Sequence, residues 1–170
     1  MEAPEDLARL CRAEWPRLVG ALSLWTGDRG VAEELAQETL IRVCQRWSKV
    51  RTLDQPGGWA HRVALNLARS WARRQRVARR AQARLEHGHP ALDAPDTGEV
   101  LAVRAALGRL PERQRAAVVL RYLLDLSVHD TAAVLGCGPN TVKTLCLRAR
   151  RSLQRMGLGE GLSAEASDAR

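Results

Sequence analysis

Aromatic residues are scarce in this sequence, which has no phenylalanine, one tyrosine and five tryptophans among 170 residues. A core with so few rings has to be filled by leucine, valine and alanine, and such a core favours helices over sheets. No segment shows the alternation of apolar and polar residues that a strand requires. We therefore predict an all-α fold with two small helical domains.

Long apolar runs are missing as well. No window reaches the ~18 consecutive apolar residues that a membrane helix needs. The first six residues include three acids, where a signal peptide is basic and then apolar. The sequence therefore predicts a cytoplasmic protein with no membrane partner.

The motifs of common enzyme classes are also absent. The chain has no glycine-rich phosphate loop, no GxSxG and no HExxH, so we predict a protein that is not an enzyme and has no catalytic residue, cofactor or metal. The four cysteines lack the CxxC spacing of zinc sites. In a reducing compartment they are expected to be small buried hydrophobic residues rather than redox or metal-binding groups. They are Cys11, Cys44, Cys137 and Cys146.

Lysine is rare, occurring only at Lys49 and Lys143, yet the net charge is +8 because arginine is abundant. Guanidinium groups bind phosphates and base edges through planar pairs of hydrogen bonds. The charge balance therefore points to a nucleic-acid partner.

The positive charge is divided into two blocks. Residues 1–86 and 99–157 each hold six more basic than acidic residues, whereas 87–98 and 158–170 each hold two more acidic than basic residues. Segment 87–98 contains Pro, Gly and Asp and cannot bury an apolar face. We predict domains at 1–86 and 99–157, a flexible linker at 87–98 and a disordered tail at 158–170.

In the first block, the spacing of apolar residues predicts three helices. Pro16 is expected to kink or split the first helix, Asp28 to cap the second, and Asp54 with Pro56 to start the third. The apolar stripe of the second helix consists of Val31, Leu35, Val43, Cys44 and Trp47. The third helix continues through Trp59, Val63, Leu67 and Trp71.

The second block is predicted to be helical throughout. Ser127 and Asp130 form the pattern of a capping box at the start of a short helix. After a tight turn, Asn140 or a neighbour should cap a last helix that runs to about Met156. The expected inner positions of the helix before this pair are Ala117, Leu120, Tyr122, Leu123 and Leu124.

Residues 127–155 are typical of a helix-turn-helix motif. In the last helix, apolar residues recur at steps of three or four, and a second strip points away from them. No acid occurs between residues 138 and 156. Such a helix fits the major groove of DNA, and the alternative is a solvated helix of a bundle. The outward strip consists of Lys143, Thr144, Leu147, Arg148 and Arg151.

Segment 69–84 holds seven arginines in sixteen residues without an acid. A surface helix usually interleaves glutamate with its basic residues, so this segment repels itself unless it binds an anion. A nucleic-acid backbone is the natural partner, and a frayed helix end is the alternative.

Three acids, Glu33, Glu34 and Glu38, interrupt the basic first block. Near a helix N-terminus they would stabilise the helix dipole. On an exposed face they would offer a docking surface to a basic protein, and the pattern alone leaves both interpretations open.

Three segments together carry a family resemblance. Segments 26–47 and 58–74 (GWAHRVALNLARSWARR) resemble regions 2.1–2.2 and 2.3–2.4 of extracytoplasmic-function (ECF) sigma factors of bacterial RNA polymerase, of the actinobacterial SigE-like type. Segment 109–153 is similar to their region 4. The resemblance spans about residues 20–156, with a short linker in place of region 3.

The resemblance implies a transcription initiation factor with three contact sets. It implies that core RNA polymerase, through the clamp helices of its largest subunit, binds Glu34, Gln37, Glu38 and Arg42. It implies that the −10 element of promoter DNA, with one base flipped from the melted strand, contacts Arg62, Asn66, Arg69, Arg73 and Arg74. It implies that the −35 element contacts Thr141, Lys143, Thr144, Leu147, Arg148 and Arg151. An anti-sigma factor is a further partner that the family implies, and the free protein is expected to be a monomer.

Two other functions stay open on the sequence. A stand-alone helix-turn-helix regulator would not need the arginine run beside Asn66. A sigma-like protein that sequesters a regulator without binding DNA would need a neutralised recognition helix.

Three residues near the start of the last helix, Pro139, Asn140 and Leu145, depart from the family pattern. The −35 sequence that relatives recognise therefore cannot be carried over to this protein.

Overall fold

The computed structural model describes residues 4–82 and 98–158. All regular secondary structure in those two ranges is helical, which confirms the predicted fold class. The chain divides into two compact units, within residues 1–95 and 96–170. Nearly all of the segments predicted to be a linker and a tail, and also Arg84, lie outside the described residues. None of the described helices is both long and apolar enough to cross a membrane.

The first unit contains helices where the sequence predicts them, plus one short addition. Its described helices are α1 (Glu5–Thr26), α2 (Arg29–Gln45), α3 (Trp47–Val50) and α4 (Pro56–Gln82). Helix α1 packs against α2 and α4, and α2 also packs against α3 and α4. The sequence prediction of three helices missed α3, because the chain turns at Arg46 and Trp47, which was assigned to the second helix, begins a separate one.

Helices α1 and α2 form an antiparallel hairpin with a very short connection. Gly27 ends α1 in the left-handed conformation (φ 77°), where its N–H bonds to the carbonyl of Ser23. Asp28 then caps α2, because its Oδ1 accepts a hydrogen bond from the N–H of Val31 at 3.0 Å, as predicted. Pro16 does not split α1. Buried side chains on both sides of Pro16 hold the two halves in one helix.

Small residues form the inward face of α4. Ala60, Ala64 and Ala68 are at most 3% exposed, and short side chains let helices approach closely. The bulky apolar residues that mark this helix in the sequence lie half-buried along the flanks of the alanine strip. They are Trp59, Val63, Leu67 and Trp71. Cys44 is exposed rather than buried, because one residue turns a helix by about 100° away from the buried Val43.

The second unit contains α5 (Gly98–Arg109), α6 (Glu112–Val118), a π-helical segment (Val119–Leu123), α7 (Val128–Leu135) and α8 (Pro139–Arg155). Helix α6 packs against α7 and α8, and α7 packs against α8. The core of this unit is leucine, valine and alanine, as the composition predicts. Its most deeply buried side chains include Leu120 and Val142.

The π-helical segment corrects the predicted inner face of the helix that precedes α7. The N–H of Leu124 bonds to the carbonyl of Val119, five residues earlier, and the wider turn shifts the register of the side chains. Leu120 and Leu124 are buried, whereas Tyr122 is half-buried and Leu123 is exposed.

Candidate functional site

Helix α8 presents one face to the core and the opposite face to solvent. Val142, Ala149 and Leu153 are buried and fix the rotation of the helix. The residues predicted to contact the −35 element all lie exposed: Thr141, Lys143, Thr144, Leu147, Arg148 and Arg151. The helix has 17 residues, so it is about 25 Å long. These dimensions suit insertion of its N-terminal half into a major groove.

The exposed face of α8 carries positive charge, hydroxyl groups and one aliphatic side chain. The helix holds five basic residues and no acid, and no acid occurs between residues 131 and 159. Thr144 donates a hydrogen bond from Oγ1 to the carbonyl of Asn140 at 2.9 Å. Leu147 is 39% exposed and offers an apolar contact among donors, as a thymine methyl group requires.

Residues close in sequence determine the geometry of α7 and of the turn before α8. Ser127 accepts a hydrogen bond from the N–H of Asp130 at 3.0 Å, which confirms the predicted cap of α7. Gly136 ends α7 in the left-handed conformation (φ 63°). The predicted cap at Asn140 or a neighbour lies too late in the chain, because the N-cap is Gly138, two residues before Asn140, and Pro139 is in the first turn of α8. Proline suits that position because its missing N–H has no helical partner there.

Two arginines near this motif differ in their contacts. Arg113 is exposed. Arg121 donates a hydrogen bond from Nη1 to the carbonyl of Leu126, so its guanidinium group braces the connection between the π-helical segment and α7.

Helix α4 carries the residues predicted to contact the −10 element. Arg62, Asn66, Arg69 and Arg73 follow at steps of four, three and four residues and therefore form one strip. Arg62, Asn66 and Arg73 are exposed, as is Arg74 at the edge of the strip, and Arg69 is half-buried. No acid occurs between residues 55 and 85. This strip is acid-free over several turns and faces outward.

A buried hydrogen-bonded pair anchors the inward side of α4. His61 Nε2 lies 2.7 Å from Glu14 Oε2 of α1, and the two residues are 4% and 5% exposed. Arg17 also approaches Glu14, with its Nη1 atom 3.4 Å from Oε1. Burial alone would raise the pKa of Glu14, but the hydrogen bond from His61 and the charges of His61 and Arg17 lower it below its ordinary value of 4.5.

Sequence reasoning missed this pair. The available signal was the position of Glu14, which follows Leu7 by seven residues and precedes Leu18 by four, so that it lies on the apolar strip of α1. A charged residue in such a strip needs a buried partner. The partner, His61, is 47 residues away, and no local pattern links the two.

Helix α2 exposes the residues predicted to bind core polymerase. Glu34, Gln37 and Arg42 are exposed, and the Arg42 Nε atom lies 2.8 Å from Glu38 Oε1. Sequence reasoning missed Ile41, which is 43% exposed and lies one turn beyond both Gln37 and Glu38. An aliphatic side chain surrounded by polar groups is typical of the centre of a protein-binding surface.

The described residues bring together no metal-binding cluster. No group of three or more His, Cys, Asp or Glu side chains in 4–82 or 98–158 could hold a metal ion.

Two family models match the chain in sequential order. The model described as sigma-70 region 2 matches residues 10–78, and the model described as sigma-70 region 4 matches residues 101–153. The first match covers α2 and most of α4, and the second covers the helix-turn-helix motif.

The chain is similar to curated ECF sigma factors. The ECF RNA polymerase sigma factor SigM of Mycobacterium tuberculosis is 34% identical over 126 residues, which cover 74% of this chain and 63% of that protein. The chain thus spans less than two thirds of the length of this relative. The ECF RNA polymerase sigma factor SigF of Caulobacter vibrioides is 33% identical over 138 residues, covering 80% of this chain and 76% of that protein.

A solved structure shares the fold. The sigma factor RpoE of Bartonella quintana, crystallised with the anti-sigma factor NepR, superposes with a TM-score of 0.76 at 22% identity, covering 90% of this chain and 97% of that one. The residues matched by the two family models make up most of the sequence. The chain therefore belongs to the ECF sigma factors.

Proposed function

We propose that this protein binds core RNA polymerase as a dissociable subunit and directs it to promoters. One observation carries the proposal: a single chain exposes two acid-free basic strips, on α4 beside Asn66 and on α8, in the order of sigma regions 2 and 4. The protein acts as an initiation factor rather than an enzyme. Its place of action is the cytoplasm, where its polymerase partner works.

In this proposal, α8 reads the −35 element in the major groove. Lys143 and Arg148 donate hydrogen bonds to guanine edges, and Leu147 contacts a thymine methyl group. Thr141, at the N-terminal end of the helix, and Arg151 hold the flanking phosphates and fix the register of the helix. The exposure of all these side chains, opposite a buried face, supports this assignment.

Helix α4 holds the melted strand of the −10 element. Extracting a base from the duplex costs a few kcal/mol, which contacts to the single strand must offset. Asn66 can donate to and accept from the edge of a flipped base, while the neighbouring arginines bind phosphates. The Glu14–His61 pair supports this role, because it fixes the rotation of α4 just before Asn66.

Helix α2 docks on the clamp helices of the polymerase largest subunit. Glu34, Gln37 and Glu38 lie within two turns of the exposed Ile41, so the face combines acceptors for a basic partner with an apolar side chain. This arrangement favours the docking interpretation of the acids over a role limited to the helix dipole, because Asp28 already caps the helix.

The sequestering alternative has less support, because five basic side chains leave α8 far from neutral. A stand-alone regulator would use the helix-turn-helix motif but not the α4 strip or the α2 face. An anti-sigma factor is a further proposed partner, since the RpoE relative was crystallised with one.

The test is reconstitution. The purified chain is mixed with core polymerase, co-purification is measured, and the 5′ ends of transcripts from genomic templates are sequenced. We expect transcripts whose starts share −10 and −35 sequences, and weak binding of duplex DNA by the chain alone. Tight sequence-specific binding without core polymerase would instead identify a stand-alone regulator.

A second measurement tests the α4 strip. Asn66→Ala should lower the yield of open complexes, detected as permanganate-reactive thymines, without changing the affinity for core polymerase. Equal losses in both measurements would contradict the assignment of Asn66 to the melted strand.

A further inference from the structure

Two cysteines lie side by side across the α1–α2 hairpin. Cys11 precedes Gly27 by 16 residues and Cys44 follows Asp28 by 16 residues. Residues equally far from a tight helical connection lie at the same level of an antiparallel pair. The Cys44 side chain is close enough to raise the pKa of the Cys11 thiol, in agreement with this register.

Their surroundings differ in a way that suits sequential oxidation. Cys44 is exposed and open to solutes, whereas Cys11 is half-buried and packs against a core cluster that contains Leu7, Val43 and Val50. Burial and the neighbouring Cys44 raise the pKa of the Cys11 thiol. Cys11 is therefore protected from direct attack by a solute but stands within reach of a modified Cys44.

The separation of the helices permits a covalent bond. The axes of packed helices lie about 8–10 Å apart, and each Cα lies about 2.3 Å from its axis. Residues that face each other across the contact can therefore reach the Cα separation of about 4.4–6.8 Å that a disulfide requires.

We propose that Cys11 and Cys44 form a reversible disulfide site that a peroxide oxidises. The Cys44 thiolate attacks one peroxide oxygen, the O–O bond breaks, and Cys44 becomes a sulfenic acid while water leaves after protonation. The sulfur of Cys11 then attacks the Cys44 sulfur, the S–O bond breaks, and the second oxygen leaves as water. Two thiols are oxidised, one peroxide is reduced to two waters, and an added dithiol reverses the bond.

The bond would fix the open end of the hairpin. Four helices meet at the cluster beside Cys11, through Leu7 of α1, Val43 of α2, Val50 of α3 and Ala60 of α4. A link at this level holds α1 and α2 together where α3 begins and where α4 enters the core. The inference rests on this geometry alone and does not depend on the proposed function.

The test uses the full chain in reduced and peroxide-treated forms. After alkylation of remaining thiols, we expect the treated chain to lose the mass of two hydrogens and to yield a Cys11–Cys44 linked peptide that dithiothreitol removes. The melting temperature of the intact peroxide-treated chain should rise by roughly 5–15 °C relative to the reduced chain. This comparison within the wild-type chain requires no variant to fold.

Variants give the matched control. Cys44→Ala, at an exposed position, should abolish both the linked peptide and the thermal shift, whereas Cys137→Ser in the other unit should keep both. A linked peptide that contains Cys137 or Cys146, a product linked only between chains, or an unchanged melting temperature of the linked chain would overturn the proposal.

Discussion

His61 Nε2 donates a hydrogen bond to Glu14 Oε2 over 2.7 Å inside the first unit, and this pair joins the middle of α1 to the first turns of α4. Both side chains are almost fully buried. Because removing one member of a buried pair leaves the other unsatisfied, the pair constrains α4 more strongly than its single contact suggests. The helix that carries the proposed single-strand contacts is therefore positioned by a polar link as well as by apolar packing.

Glu14→Gln should lower the free energy of unfolding by about 1–3 kcal/mol at neutral pH, because the charge-assisted hydrogen bond is lost while the shape is kept. The pKa of Glu14 is lowered in the folded state, so its carboxylate stabilises the fold above pH 4.5. That contribution is lost as the pH falls through the depressed pKa. Denaturant titrations of both proteins should therefore converge at acidic pH, and a constant difference would contradict this assignment.

Gly57→Ala should destabilise the first unit by about 1–3 kcal/mol, because an added Cβ would lie 2.8 Å from Glu14 Oε1 and disturb the buried pair. The matched control is Gly20→Ala in α1, where an added Cβ meets no atom within 4 Å. That change should stabilise the helix by about 0.5–1 kcal/mol. Thermal unfolding should show a lower melting temperature for Gly57→Ala and a higher one for Gly20→Ala than for the wild type. Equal changes in both variants would show that Gly57 has no special packing role.

Ser127→Ala should cost about 1 kcal/mol, because the N–H of Asp130 loses the hydroxyl that caps α7. Loss of this cap weakens the first turn of α7, so hydrogen exchange in α7 should accelerate. Ser48→Ala, at an exposed position of α3, is the control and should change stability very little. A Ser127 variant with wild-type exchange in α7 would show that the cap is dispensable.

Glu38→Arg should weaken binding to core polymerase at least tenfold, because it reverses a charge at the proposed docking face. Glu33→Arg is a close control: Glu33 pairs with Arg29 at 2.9 Å, and its side chain is 45% exposed, like that of Glu38. The two positions lie about 140° apart around α2. Fluorescence polarisation measures the affinity of each variant for core polymerase. Identical losses of affinity for the two variants would place the docking face elsewhere.

Arg148→Ala should reduce initiation at promoters that depend on the −35 element by roughly 10- to 100-fold, which corresponds to about 1–3 kcal/mol of a base contact. Core binding should stay unchanged. Arg155→Ala removes the same charge from the last residue of α8 and should have a smaller effect at all promoters. Abortive-initiation assays on templates with and without the −35 sequence distinguish specific from general loss.

Local signals predicted much of the architecture. Asp28, Ser127 and Gly136 act within one turn of their own positions, so the sequence around them is sufficient to place α2, α7 and the turn before α8. The outward strip of α8 was predictable for the same reason: its apolar residues recur with the helical period, and the polar residues necessarily lie on the other side.

Long-range packing was not predictable from those signals. The inward face of α4 is set by alanines that fit against α1 and by His61, whose partner lies far away in the sequence. A hydropathy pattern gives more weight to tryptophan than to alanine, so it marks α4 by Trp59 and Trp71 and not by the alanines that form its buried face. The π-helical turn at Val119–Leu123 likewise depends on how α6 is held by its neighbours and leaves no local signature.

The unbroken course of α4 constrains how its gene can change. Because Arg62, Asn66 and Arg73 share one strip only through the helical period, adding or deleting a single codon between them would rotate every later side chain by about 100°. The arginines would then swing toward the neighbouring helices and the alanines toward solvent. Substitutions can be absorbed one at a time along this segment, whereas a change of length disrupts the whole surface at once.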